Sequence, residues 1–200
     1  MGTAFEIELR NRISVWERLG CCPYADGSKE YGRIPHAGSH AFLHALMPAP
    51  SVTSIAAAES TLKLIIPDAL RQLWGVSNGL RLFHLSLDIL GLPKQFSRAL
   101  DAPPQPFDFV QYNSYSRPAR LDPKCIVCGG YGFDGSAVLL NDEGEVFVSD
   151  QTGEQVIAVG SSLTGFVLAE FDRLSALFDA DGRLTCDEEL TVHPALRRLH

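Results

Sequence analysis

Residues 124–178 constrain the fold more than any other part of the chain. Four short apolar runs, at 124–128, 136–140, 145–149 and 155–159, are separated by turn residues and followed by one long amphipathic segment. Runs of this length, rich in Val, Ile and Leu and joined by Asn-Asp-Glu-Gly and Thr-Gly turns, predict antiparallel strands. Ser161 or Ser162 then caps a helix. Its apolar residues Leu163, Phe166, Val167, Phe171, Leu174, Leu177 and Phe178 recur at three- and four-residue spacing. Asp181-Gly182 is the expected stop.

The segments before this unit are mostly helical in pattern. Residues 4–19 place Phe5, Leu9, Ile13, Trp16 and Leu19 on one face, with Ile7 and Val15 off it. Residues 20–38 read as loop from their Gly, Pro, Asp and Ser content. A short helix capped by Ser39 is expected to carry Phe42, Leu43, Leu46 and Met47, and to end at Pro48-Ala49-Pro50. A small helix follows at 52–61, with Ile55 and Leu62 inward. A second occupies 67–77, entered at Pro67. It carries Leu70, Leu73 and Trp74 and stops at Asn78-Gly79, where Gly adopts the left-handed conformation at little cost. Residues 80–92 read as two strands meeting near His84-Ser86, 93–106 as irregular, and 107–114 as one or two helical turns.

Helices, then antiparallel strands, then a helix make an α+β fold. The expected organisation is an N-terminal extension over 1–51 packed on a main domain at 52–180. A polar tail at 181–200 is held by Leu190 or Leu196.

Composition narrows the function classes. A formal net charge of −7 disfavours nucleic acid and anionic membrane as direct partners and permits a basic protein. The 46% hydrophobic content describes a soluble globule, and no run reaches the length of a membrane span. Five cysteines without a framework spacing favour reduced thiols and a cytoplasmic location. No secretory signal is recognisable at the N-terminus.

Ile66-Pro67, Leu70, Leu73-Trp74 and Asn78-Gly79 resemble the signature helix of the SUKH superfamily. Phe83 and Ile89-Leu90-Gly91-Leu92 resemble that family's first hairpin. Gly132-Phe133-Asp134-Gly135, Val138 to Asn141, Gly144-Glu145-Val146 and the helix from Ser161 to Leu174 resemble its central strands and closing helix. The likeness covers about residues 52–180. Ile66 stands where the family usually has Leu, and the N-terminal extension lies outside the resemblance. The resemblance implies an antiparallel sheet flanked by helices and a non-enzymatic, protein-binding function. Bacterial members are immunity proteins that neutralise toxins, and fungal relatives resemble regulators of cell-wall synthesis. It implies no catalytic residue, cofactor or metal. Pro67, Leu70, Trp74, Asn78 and Gly79 are the structural signature that carries over.

Several patterns suggest chemistry and fail on context. Gly130-Tyr131-Gly132-Phe133-Asp134-Gly135 satisfies G-x-G-x-x-G, but phosphate binding needs a following helix N-terminus, and Ser136 onward reads as strand. Cys125 and Cys128 fall in a predicted strand and read as core residues, with Cys21-Cys22 poor partners for a tetrahedral site. His36, His40 and His44 recur every four residues. On a helix starting after His36, only His40 and His44 would align, which suits solvated histidines better than a metal site. Gly160 to Gly165 does not have the spacing of a nucleophile elbow.

Charge patterning says more. Between Asp122 and Glu154 seven acids face one base, Lys124. Asp142 and Glu143, with Glu145 beside them, are expected at one hairpin tip, with Asp134 and Asp150 in the same sheet region. These five are the candidate partner-binding residues, steering a basic protein such as a toxin nuclease; polar turns alone explain the pattern equally well. Three functions remain open: a monomeric or weakly dimeric protein that occludes a toxin, a structural or regulatory adaptor, and a metal- or small-molecule-binding protein using His40, His44 and the cysteines.

Overall fold

A computed structural model describes residues 2–94 and 102–197. Part of the irregular stretch expected at 93–106 therefore lies outside the described residues. The architecture is α+β: among the described residues, nine antiparallel strands form one sheet, with six α-helices. The strands follow the order of the chain, β1 (Cys21–Pro23), β2 (Lys29–Arg33), β3 (Phe42–Leu46), β4 (Leu80–Leu82), β5 (Leu87–Ile89), β6 (Ile126–Gly130), β7 (Ala137–Leu140), β8 (Val146–Ser149) and β9 (Val156–Gly160).

The N-terminal region departs from its sequence reading. The stretch expected as loop contains β1 and β2, and the stretch expected as a His-bearing helix is β3. Strand β3 is buried from Leu43 to Leu46 on both faces, so it lacks polar alternation and its apolar residues imitate helical spacing. Ala45 pairs with Arg81, which joins the extension to the rest of the molecule within one sheet.

Helix α1 (Ala4–Ser14) is capped by Thr3, whose hydroxyl accepts the Glu6 N–H, and tightens into a 3₁₀ turn at Val15–Leu19. Its expected face is the observed one: Leu9, Ile13 and Trp16 are buried, and Ile7 and Val15 are exposed. Helices α2 (Val52–Leu62) and α3 (Asp68–Val76) connect β3 to β4. Helix α5 (Leu163–Ser175) is capped by Ser162 and buries Leu163, Phe166, Val167, Phe171 and Leu174. It ends before Asp181-Gly182, because Phe178 forms a bridge with Leu184 and the Leu177 carbonyl accepts the Thr185 N–H. α5 packs on α1, α3 and β9; α4 (Phe109–Ser114) packs on α2 and β6.

The residues of α3 and its exit organise the middle of the sheet. Leu70, Leu73 and Trp74 are fully buried, each contributing about 1.5–3 kcal/mol by leaving water. Trp74 Nε1 donates to the Leu90 carbonyl at 2.8 Å. Asn78 Nδ2 donates to the Leu92 carbonyl at 2.8 Å, and Asn78 Oδ1 accepts the Leu92 N–H at 2.7 Å. Helix α3 ends at an extended Ser77, so Gly79 is not its cap. Gly79 instead has φ of 76° and lies so close to β5 that a Cβ would stand 2.6 Å from the Ile89 carbonyl.

The tail is docked more firmly than a single anchor requires. Leu196 is buried in α6 (Pro194–Arg197), Val192 is buried beside it, and the Arg173 guanidinium donates to the Leu190 and Thr191 carbonyls. Arg173 also forks onto Glu170, which accepts the buried Tyr131 hydroxyl as well, at 2.7 Å.

Candidate functional site

One register row runs across all nine strands: Cys22, Glu30, Ala45, Arg81, Asp88, Gly130, Ala137, Ser149 and Val156. Paired residues in a row point to the same face. The adjacent row puts His44 on the opposite face, where it stacks on Phe171 of α5 at 5.1 Å. The first row therefore lies on the face away from α5, and it is polar at its centre.

Arg81 stands between two buried carboxylates. Its Nε is 3.5 Å from Asp88 Oδ1, an ion pair too long for a hydrogen bond, and it has no other partner. Glu30 lies two strands away in the row and accepts the Tyr24 hydroxyl at 2.7 Å. Burial raises the pKa of Glu30 from its ordinary value, against the opposing effects of Tyr24 and Arg81. Burial pushes Asp88 up to about 7, with Arg81 opposing the shift.

Next in the row, Gly130 has no side chain and Ala137 has a short one. A cavity of about 320 Å³ opens there, lined by Asp88, Leu85, Leu90, Phe107, Tyr112 and the glycine-rich backbone at 129–132. Gly129 permits close strand contact, since a Cβ there would stand 2.6 Å from the Asp88 carbonyl. The G-x-G-x-x-G segment thus lines a cleft. It leads into β7, with no helix N-terminus to hold a phosphate.

Two further clefts adjoin the first. The turn between β4 and β5 holds Phe83, His84 and Leu85 consecutively at positive φ (51°, 56° and 74°), a costly backbone arrangement for non-glycine residues. Leu85 and Gly132 line both the first cleft and a second, of about 370 Å³, that reaches His36, His84, Phe178 and Glu188. Phe133 continues from the second into a third, of about 170 Å³, with Asp134, Asp150, Glu189 and Arg197. Leu85, Phe107, Tyr112 and Phe133 are each 38–48% exposed along this surface.

The candidate acids divide between two places. Asp142 and Glu143 are exposed at the β7–β8 turn, and Glu145 beside them exchanges hydrogen bonds with Asn141. Asp134 and Asp150 lie at the opposite end of that hairpin, about 13 Å away along four-residue strands. They line the third cleft together, although each also closes its own turn: Asp134 accepts from Ser136, Asp150 from Thr152 and Gln155. Sequence reasoning did not find Asp88, because its setting arises from strand register and leaves no local spacing to read.

The histidines do not converge. His36 and His40 are exposed, while His44 is fully buried in β3. His44 Nδ1 accepts the Phe83 N–H at 3.4 Å, and burial lowers its pKa to about 3. Cys125 and Cys128 are buried, and Cys128 Sγ contacts the Val138 carbonyl at 3.4 Å. Among the described residues, no group of three or more His, Cys, Asp or Glu side chains could hold a metal ion. No described helix is long and apolar enough to cross a membrane.

No family model matches the chain, and no curated protein matches it significantly.

Proposed function

We propose that this chain is a non-enzymatic protein-binding module of the SUKH type. It neutralises a basic toxin-like protein, a nuclease in the first instance, by covering that protein's working surface. The observation that carries this reading is the continuous run of three clefts, rimmed by Leu85, Phe107, Tyr112 and Phe133. Exposed aromatic and aliphatic residues around concave, mostly apolar ground are the usual composition of an interface core. Charge selects the occupant. The three linings carry Asp88, Glu188, Asp134, Asp150 and Glu189 against one guanidinium, Arg197. This face supplants the β7–β8 hairpin tip as the primary contact, and Asp142, Glu143 and Glu145 are left to steer approach.

The test compares three forms of the chain as bait in extracts of the source cell. They are the unmodified chain, a Phe107→Ala/Phe133→Asp variant, and an Asp142→Lys/Glu143→Lys variant. The expected result is one basic protein retained by the first and third forms and lost by the second. That protein should arrest growth when expressed alone and not when expressed with this chain. A captured protein that is not toxic supports an adaptor instead. Equal capture by all three forms sinks the assignment of the face.

A further inference from the structure

Asp88 is the only charged residue lining the first cleft among the described residues. It is 92% buried, and its charged partner is Arg81, whose Nε stands at the long distance of 3.5 Å from Oδ1. Buried carboxylates are ordinarily paired or well hydrogen-bonded, because desolvation of the bare charge is costly. Here the compensation is incomplete. Along the row, two buried carboxylates, Glu30 and Asp88, share one guanidinium, and that guanidinium is not within hydrogen-bond distance of Asp88. Two carboxylates thus face one guanidinium, and the Asp88 end of the row borders a space of about 320 Å³.

The walls of that space suit a particular group. Phe107 and Tyr112 meet edge to face, 6.5 Å between centroids, and Arg81 already lies 5.8 Å from the Phe107 ring. A cation between ring faces and a carboxylate gains from both, and the gain is larger where water is excluded. Leu85 and Leu90 provide apolar contact for an aliphatic stem.

We propose that this cleft binds one alkylammonium or guanidinium group, seated against Asp88 and the rings of Phe107 and Tyr112, and that a lysine or arginine side chain of a protein partner supplies it. The cation site stands on the cavity geometry alone. The source of the cation rests on the protein-binding function proposed above. An inserted basic side chain completes the charge row, with Arg81 and the incoming group flanking Asp88.

The experiment titrates the ¹⁵N-labelled chain with n-butylammonium and ethylguanidinium, and with n-butanol as the neutral control, following the Gly129, Gly130 and Tyr131 amides. The expected result is saturable shifts with the two cations and none with the alcohol. Asp88→Asn should weaken cation binding roughly tenfold or more. Phe107→Ala, at the exposed rim, should weaken it several-fold and provides a second variant should Asp88→Asn fold poorly. Absence of saturation, equal response to the alcohol, or an unchanged affinity in both variants overturns the site. Nα-acetyl-lysine amide and Nα-acetyl-arginine amide, which carry the same cations on a peptide unit, separate the two proposals. Binding of the simple cations without binding of the two amino-acid amides keeps the site and removes the protein source. Partner capture that survives Asp88→Asn keeps the protein-binding function and removes this anchor.

Discussion

Asn113 and Val127 exchange two hydrogen bonds, the Asn113 amide donating to the Val127 carbonyl and its Oδ1 accepting the Val127 N–H, both at 2.9 Å. Strand β5 pairs with β6 at Asp88–Gly130 and Ile89–Gly129, and the Leu90 N–H then donates to the Cys128 carbonyl at 2.8 Å. The asparagine side chain continues the β6 ladder where β5 has turned away, and it fixes α4 over the first cleft. Asn113→Ala leaves both Val127 groups without these partners. It should cost about 2 kcal/mol, read as a lower urea midpoint. Asn113→Asp keeps the acceptor but sets a carboxylate against a carbonyl, and it should be no milder.

Two glycines four residues apart should respond in opposite directions. Gly75 lies exposed in the last turn of α3, with nothing within 4 Å of an added Cβ. Gly75→Ala should stabilise the protein by up to about 1 kcal/mol through helix propensity. Gly79 has positive φ and lies against the Ile89 carbonyl. Gly79→Ala should destabilise by about 2 kcal/mol or more. Thermal unfolding of the two variants side by side is the check; two changes of the same sign would contradict the placement of Gly79.

The pH dependence of stability should contain two opposing contributions. Asp88 titrates near 7 when folded against 3.8 ordinarily, so the native chain holds a proton that the unfolded chain has released. Its contribution is greatest at low pH and is lost as pH rises from about 4 through 7, as the linkage sign requires. Glu30, also raised by burial, acts in the same direction. His44 is the reverse: its folded pKa is about 3 against 6.5, so the unfolded chain takes up the proton first. Its contribution is full above 6.5 and is lost as pH falls toward 3. At full proton difference each slope is about 1.4 kcal/mol per pH unit. Asp88→Asn should therefore make stability rise more steeply with pH between 4 and 6.5, and His44→Phe should make it fall. Urea midpoints at several pH values measure both. Unchanged slopes would mean that the carboxyl and imidazole are hydrated.

Thiol chemistry should report the sheet directly. Cys128 is fully buried and its pKa is pushed up to about 12 by that burial; Cys125 is also raised by burial, with Asp122 next. Cys21 is exposed, and Cys22 and Cys186 are partly so. Iodoacetamide should label the latter three in the native protein. It should reach Cys125 and Cys128 only after unfolding, as followed by peptide mass spectrometry. Early labelling of Cys128 would show that β6 opens locally.

Much of the fold is legible in the sequence because its signals are local. The stripe of α5, the face of α1 and the turns at Asn141–Gly144 and Thr152–Gly153 all depend on residues within a few positions of one another. Strand β3 is not legible in this way. Buried on both faces, it offers no alternation, and its Leu43, Leu46 and Met47 also fit a helix. β1 and β2 are concealed by the Gly, Pro and Asp content of their joining turn. The candidate site is the least legible part. Asp88 becomes notable only beside Arg81, Glu30 and Gly130, which three other strands bring into its row. The acids that stand out by clustering in sequence are split by the hairpin that joins them.

The order of the strands has a consequence for how the protein is made. Every strand hydrogen-bonds to its neighbours in the chain, so each can add to the growing edge as it leaves the ribosome, and none has to be inserted between two that have already paired. Such sequential pairing keeps loop-closure costs low and shortens the time that an unpaired edge is exposed. The exception is α5, which must return to α1 at the far end of the sequence, where Arg12 meets Asp172 at 2.8 Å. A nascent chain would thus hold a zipped but uncovered sheet until its closing helix emerged, and that interval is when a chaperone would have most to protect.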